Sequence, residues 1–415
     1  MSVLWRAVAP VQAGSLYALL FLLPFSKAAI EVAFGPLLLG WLIERLRPAT
    51  RGDTLWRRAS LRPLAAAVAG FLAACALSIA FSGHPQLSVR GFVGKWLEYL
   101  LLMVIAADVA SRPRVAQRGV MALIAGSVFV LIEGVTQELF GKGLFRGHLI
   151  GWEGGSLYQR MIGPYENPID LATYLMVVIP ILAAFAMSRK GGIRWGLWGL
   201  LLSLLLCLAR TQARGAWISL AVGGLIVAGW RAAPRRAGMV LAAVALLAGG
   251  VLLMRQGRPL GDAVALHDIG TRDRWVMWQA AIGMIRDRPI VGHGVNTFMA
   301  NYLEYWVGGE RMPRYAHNCY LQVAAETGIV GLAAFLWLLA ALFLRLGRAA
   351  RRPPLDASRL LLVGICAGLA AFAVQAAIDT NFYALRQAAL FWVLAGMAVG
   401  LSEHAAAPQH HRPGL

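Results

Sequence analysis

The sequence predicts an all-α polytopic integral membrane protein of about twelve transmembrane helices, with one long, partly helical outer loop. Three observations point to this class. Hydrophobic residues make up 59% of the 415 positions and charged residues 14%, a balance that one soluble core cannot absorb. The apolar residues gather into runs near the length that crosses a bilayer as a helix, about 17 to 25 residues. Arginine and lysine cluster in alternate connections between those runs, as they do where loops of one face stay on the cytoplasmic side.

Taken in order, spans are expected near 11–25, 30–46, 63–81, 93–110, 119–139, 168–188, 193–209, 215–231, 237–254, 319–346, 359–379 and 385–402. The first run, with Arg6 before it and small residues after Ser26, mimics a signal peptide. Eleven further spans favour its retention as the first helix. Five connections are strongly basic, beginning with Arg45, Arg112, Arg189, Arg231 and Arg345, and by the positive-inside rule they and both termini are cytoplasmic. The alternate connections, including the two longest, Phe140 to Pro168 and Arg255 to Asn318, then face outward. The whole chain, 1–415, reads as one transmembrane domain, with the 255–318 loop as the expected place of the active site. The net charge of +19 sits in these short clusters, where it sets topology and meets membrane lipids, so no nucleic-acid partner is expected. Cys75, Cys207, Cys319 and Cys366 are far apart in sequence and read as four free thiols.

Within the long loop, Trp275, Trp278, Ile282 and Ile285 recur at helical spacing, which predicts an amphipathic helix on the membrane surface. Pro289 and Gly292-His293-Gly294 end it. Asn318 is placed to cap the next helix, which is longer than the hydrocarbon layer and is expected to project outward or bend near Gly328.

Three constellations could carry chemistry. Arg210 and Arg214 bracket the junction of two spans; they either snorkel to headgroups or, with the free N–H groups of the helix opened by Arg214-Gly215, bind a phosphate. Arg272-Asp273-Arg274 and Arg286-Asp287-Arg288 form a solvated ion-paired face or a second set of phosphate donors. His317-Asn318 is a helix start whose imidazole is a structural cap or a general base. Arginines supply fork-shaped donors for phosphate and a neutral histidine supplies a base, so the three make chemical sense together. Tyr302, Tyr305, Trp306 and Tyr315 form an interfacial aromatic belt or stack on sugar rings. No metal and no cofactor is expected, since neither HExxH nor an Asp-x-Asp pair is present; Glu166 and Asp170 flank Asn167-Pro168, where a carboxylate caps a helix equally well.

In this order the motifs resemble the O-antigen ligase superfamily, grouped with O-antigen polymerases and bacterial protein O-oligosaccharyltransferases. The resembling text is Gly163-Pro-Tyr-Glu-Asn-Pro-Ile-Asp-Leu-Ala172, Thr211-Gln-Ala-Arg-Gly-Ala-Trp217, Arg274-Trp-Val-Met-Trp278, Ile285-Arg-Asp-Arg-Pro-Ile-Val-Gly-His-Gly294 and His317-Asn-Cys-Tyr-Leu-Gln-Val-Ala-Ala-Glu-Thr-Gly-Ile-Val-Gly331. Ala213 stands where the family often has serine. The resemblance implies a metal-independent, inverting membrane glycosyltransferase of the bacterial inner membrane. Its donor would be a glycan on undecaprenyl diphosphate and its acceptor the lipid A-core oligosaccharide at the periplasmic face. Carried over by position, His317 is the catalytic base and Arg214 and Arg274 bind the diphosphate; beside that carry-over, Arg210 is a further donor on its own chemistry, and Asn318, Arg272, Arg288 and Tyr315 are supporting candidates. Polymerization of repeat units and transfer to protein use the same chemistry and remain open, while a lipid-linked glycan transporter is the alternative of another class.

Overall fold

The computed structural model describes residues 2–46, 54–145, 160–230, 269–308, 312, 314–353 and 356–404; at 2–7, 227–230, 269–272 and 404 the description is of the backbone alone. Among these residues the chain is helical and has no strand. The helices, in chain order, are α1 (Ser2–Leu22), α2 (Lys27–Leu46), α3 (Arg62–Ala80), α4 (Pro85–Gly91), α5 (Glu98–Val109), α6 (Pro113–Phe140) and α7 (Pro168–Met187). They continue as α8 (Gly191–Arg210), α9 (Arg214–Trp230), α10 (Ile269–Asp287), α11 (Phe298–Asn301), α12 (Cys319–Arg351), α13 (Ala357–Gln375) and α14 (Leu385–His404). A π-helical turn over Phe92–Leu97 joins α4 to α5.

The membrane class holds, but twelve full spans are not reproduced. Seven described segments are long and apolar enough to cross a bilayer: Ala59–Ala80, α6, α7, α8, α12, α13 and Leu385–Glu403. The runs at 11–25 and 215–231 fall on the shorter apolar helices Val8–Leu22 and Arg214–Ile226. The 30–46 run falls on α2, which carries Lys27, Glu31, Glu44 and Arg45. The 93–110 run is the π-turn and α5, where Lys95 and Glu98 interrupt the apolar sequence. The 237–254 run lies outside the described residues, as does 255–268 of the long loop.

Backbone groups within lipid must be satisfied inside the helix, and close helix packing then comes from small side chains. α13 packs on α7 through Gly364 and Gly368: a Cβ at these positions would lie 2.7 Å from the Pro180 carbonyl oxygen and 2.5 Å from that of Val177. α14 packs on α5 in the same manner, with Gly396 and Gly400 against the carbonyls of Met103 and Ala107. Consequently α14 is almost wholly buried and forms the centre of the bundle with α7 and α13.

Two carboxylates, the half-buried Asp108 and the buried Glu403, gather the arginine-rich end. Asp108 accepts from Arg45, from Trp41 Nε1 at 2.8 Å and from the Leu55 amide at 3.0 Å. Glu403 accepts from Arg58 at 3.0 Å, from Ser60 Oγ at 3.0 Å and from Arg345. The basic connections before α3 and after α12 therefore lie at one end of the bundle, as the alternation of charge requires.

The packing generates a direct test. Gly396→Leu should lower the stability of the purified protein by about 1–3 kcal/mol through overpacking, whereas Gly199→Leu, on an open face of α8 with nothing within 4 Å, should leave it unchanged. Thermal unfolding of the two variants side by side decides the point; equal midpoints would contradict the packing of α14 on α5.

Candidate active site

His317 and the start of α9 come together at the end of the bundle opposite the arginine clusters, where α12 begins. Asn318 caps that helix, its side-chain oxygen accepting from the Tyr320 and Leu321 amides at 3.0 Å each. His317, just before the cap, has φ +45°. Only asparagine, aspartate and histidine visit this left-handed region with any ease among residues that carry a Cβ. Here the twist turns the imidazole toward the connection between α13 and α14, and His317 Nδ1 lies 3.3 Å from Asp379 Oδ1. A carboxylate only accepts, so Nδ1 carries the proton and donates, and Nε2 keeps its lone pair. Nε2 makes no hydrogen bond among the described residues, and the side chain is 36% exposed.

Asp379 is held by an unusually well packed turn. The Thr380 amide donates to Asp379 Oδ1 at 2.8 Å, and Cys319 Sγ lies 3.2 Å from the Asp379 carbonyl oxygen. Asn381 Nδ2 donates to the Phe372 carbonyl at 3.1 Å. Phe382, the next residue, is buried with ring centroids 4.8 Å from Phe391, 4.9 Å from Phe372 and 5.3 Å from Phe335. The Cys319 amide donates to the Ala376 carbonyl at 2.7 Å, which ties the start of α12 to the end of α13. The imidazole and its carboxylate thus sit on two joined helix ends.

Arg214 is the first residue of α9 and is exposed. Its neighbour Gly215 packs so tightly on the same turn that a Cβ would lie 2.5 Å from Ile378 Cδ1, and Ser219 Oγ hydrogen-bonds Gln375 at 2.9 Å. The first turn of α9 therefore adjoins the turn that carries Asp379. Arg210, at the end of α8, is exposed and ion-paired with Glu138, with Nε donating at 3.1 Å.

α10 lies against the start of α12. Its buried face is Met277, Ala280, Ala281 and Met284, which share a small core with Phe298, Tyr302, Ala316 and Ala325. Of the stripe Trp275, Trp278, Ile282 and Ile285, Trp275 is exposed away from this core, Trp278 and Ile282 are half-buried and Ile285 packs at its edge, so α10 carries a second apolar face besides the one that meets α12. Arg274 is half-buried one turn before Met277, on the face that meets this core. Arg288 instead reaches the end of α3, with Nη1 donating to the Phe81 carbonyl at 3.2 Å, so it tethers α10. The Arg272 side chain lies outside the described residues.

The segment Pro289–Gly294 explains two of the motifs at once. Gly328 has φ +66° and ψ −173°, which bends α12 as expected and leaves carbonyls free near the bend. The His293 amide donates to the Ala325 carbonyl at 3.1 Å and the Gly294 amide to that of Glu326 at 2.8 Å; in return the Ile329 amide donates to Pro289 at 2.8 Å. His293 is consumed by this joint. It is buried, Nε2 lies 3.1 Å from the Met284 carbonyl, and its ring meets Tyr305 at 5.4 Å. Burial, reinforced by the charge of Arg288, holds its pKa below the ordinary histidine value. Of the two, His317 is the one with an open nitrogen. His84 stands exposed on the entry to α4, and His148 and His267 lie outside the described residues.

Three contributors were not singled out in the sequence. Asp379 fell at the end of an assumed span, 359–379, although α13 stops at Gln375; the polar run Asp379-Thr380-Asn381 between two apolar stretches was the available signal. Lys95, on the π-turn, donates to Asn296 Oδ1 at 2.7 Å and lies 5.8 Å and 5.6 Å from the rings of Tyr315 and Tyr383. A lone lysine inside an apolar run is itself a functional signal. Glu326, within the quoted motif, is buried and accepts from the Asn296 amide at 2.7 Å and Tyr383 OH at 3.0 Å. Tyr315 rests against Tyr383 at 6.1 Å, and burial followed by the Glu326 charge raises the pKa of its phenol. Among the described residues no group of three His, Cys, Asp or Glu side chains could hold a metal ion. Chemically, the arrangement offers an oriented imidazole base beside a helix start and arginines suited to an anion.

Residues 198–336 match a family model described as O-antigen ligase. That segment runs from α8 to the middle of α12 and contains Arg210, Arg214, Arg274, Arg288 and His317, so the match supports the superfamily read from the motifs. Proteins of this family are membrane glycosyltransferase-like enzymes that handle lipid-linked glycans. No curated protein matches the chain.

The bend at Gly328 is open to test. Alanine there would meet the Ile290 carbonyl oxygen and hold a left-handed conformation, which costs about 1–2 kcal/mol before any clash. Gly328→Ala should therefore yield less folded protein and a lower thermal midpoint; a midpoint equal to wild type would contradict the docking of 289–294 on α12.

Proposed function

On the premise that residues 198–336 are an O-antigen ligase segment, we propose that the protein is an O-antigen ligase. It transfers a glycan from undecaprenyl diphosphate to the lipid A-core oligosaccharide at the periplasmic face of the inner membrane. The observation that carries the reading is His317, oriented by Asp379 with Nε2 open, in a turn that adjoins the first turn of α9.

The reaction follows from these groups. A sugar hydroxyl is a poor nucleophile, so Nε2 of His317 takes its proton as the oxygen attacks the anomeric carbon. The bond from that carbon to the diphosphate oxygen breaks from the opposite side and its electron pair leaves with the diphosphate, which inverts the configuration. Asp379 keeps the tautomer correct and stabilizes the imidazolium that forms. Arg214 and Arg274, with Arg210 nearby, neutralize the charge growing on the diphosphate, and the amides at the start of α9 add to the field. The lipid diphosphate is already an activated leaving group, so neither a nucleotide nor a divalent ion is needed. Its tail stays in the bilayer, which is why the site belongs at a membrane surface. Polymerization or protein glycosylation would use the same residues, differing only in the acceptor.

Purified protein with lipid-linked donor and acceptor tests the assignment. Arg214→Ala and Arg274→Ala should each reduce transfer by about 10²–10³-fold, and lysine should restore it poorly where the contact is bidentate. His317→Ala should lose about 10²–10⁴-fold while still binding donor, and Asp379→Asn should fall between it and wild type. Full transfer by His317→Ala would remove the histidine as base.

The same assay addresses pH and metals. Transfer should fall on acidification, because a proton on Nε2 occupies the lone pair that accepts the substrate proton. It should survive EDTA, given that the proposed donor set consists of arginines and one imidazole. Loss with EDTA that magnesium or manganese restores would reject the metal-free mechanism.

A further inference from the structure

Below the candidate site, α9, α12 and α13 leave a groove of about 810 Å³, within the range of small-molecule sites. Its wall is apolar, including Ile226 of α9, Leu336 and Phe343 of α12 and Ala370 of α13. One end is closed by Tyr320; the other is rimmed by Arg348 and Arg351. From Leu336 to Arg351 the helix rises about 23 Å at 1.5 Å per residue, most of the ~30 Å hydrocarbon layer.

The arginines at this end differ in how they are used. Arg45 pairs with Asp108, Arg58 and Arg345 pair with Glu403, and Arg359 donates to the Arg352 carbonyl at 2.9 Å. Arg348 and Arg351 have no ion pair or hydrogen bond from their side chains among the described residues, and both are exposed. Two unspent guanidinium groups therefore rim the one end of an apolar trough that faces the basic surface. Guanidinium donors fit a phosphodiester, and a trough of this length fits an acyl chain.

We propose that the groove is a specific site for an anionic phospholipid, whose phosphate sits on Arg348 and Arg351 and whose chain runs along α12 toward Tyr320. The lipid would brace the two helices that carry the imidazole–carboxylate pair. At the Tyr320 end α12 and α13 are tied, by the Cys319 amide on Ala376 and by Tyr320 OH donating to Ala373 at 2.7 Å. Toward the arginines they are separated by the groove itself, and an acyl chain fills that gap.

The test uses the full chain, purified in an uncharged detergent, stripped of lipid and supplied with phosphatidylglycerol or phosphatidylcholine. Native mass spectrometry counts retained lipid, and thermal unfolding reports stabilization. Wild type should retain one phosphatidylglycerol in preference to phosphatidylcholine and unfold at a higher temperature with it. Arg348→Gln/Arg351→Gln should weaken that retention about 10-fold or more, while Arg114→Gln/Arg118→Gln, exposed arginines away from the groove, should not. Ala340→Phe, which fills the groove from an exposed position, should abolish retention of both lipids. Equal retention of the two lipids, equal loss in both arginine pairs, or retention that survives Ala340→Phe would overturn the proposal. So would displacement of the lipid by a polyprenyl phosphate with the same efficiency in wild type and in Arg348→Gln/Arg351→Gln, which would make the groove a place for an isoprenoid chain.

Discussion

Glu326 is the contact on which the polar end of the bundle depends. Its carboxylate accepts from the Asn296 amide, Gln322 and Tyr383 OH, and its carbonyl accepts from Ser78 and the Gly294 amide. One buried residue of α12 thus holds α3, the segment after α10 and the turn before α14. A buried carboxylate is tolerable only when its lone pairs are filled, and the bend at Gly328 seats the 289–294 segment that leads to Asn296. With these three elements fixed, Ala316 packs under α10 and His317 projects from the capped start of α12 toward Asp379.

The same economy explains where chemistry can be placed. In the apolar interior the helices meet through glycine and alanine, which leaves little room for polar groups. At the arginine-rich end, Asp108 and Glu403 neutralize several of the cations and lock the connections. The opposite end carries the bends, the caps and residues with left-handed backbone, among them Gln212, Asn296 and His317. Such conformations persist where the surroundings over-determine them, and they tend to mark working sites. Gln212 stands two residues before Arg214, and Asn296 holds Lys95.

The sequence made the helical membrane class legible because hydropathy and the alternation of basic connections are one-dimensional signals. The cap at Asn318 and the bend near Gly328 were legible for the same reason: a polar residue before an apolar run that is too long for the bilayer. Spans broken by charge were not, because a run such as 93–110 looks continuous until the π-turn and Lys95 are placed. The face of α10 that meets α12 was not legible, since its methionines and alanines make a weaker pattern than the larger Trp275, Trp278, Ile282 and Ile285. Pairings such as His317 with Asp379 and Lys95 with Tyr315 join residues far apart in the chain, and no local pattern discloses them. The arginines of the proposed diphosphate site were legible as residue types, while the place of Arg214 beside the turn of Asp379 comes only from the packing of Gly215.

The proposed account turns on where the glycan goes when the protein is absent. Deleting the gene and resolving the lipopolysaccharide ladder together with the lipid-linked glycans measures this directly. The account predicts lipopolysaccharide without any O-antigen and long glycan accumulated on undecaprenyl diphosphate. A ladder reduced to a single attached repeat would indicate a polymerase, and an unchanged ladder with unglycosylated protein a protein glycosyltransferase; either result would contradict the account.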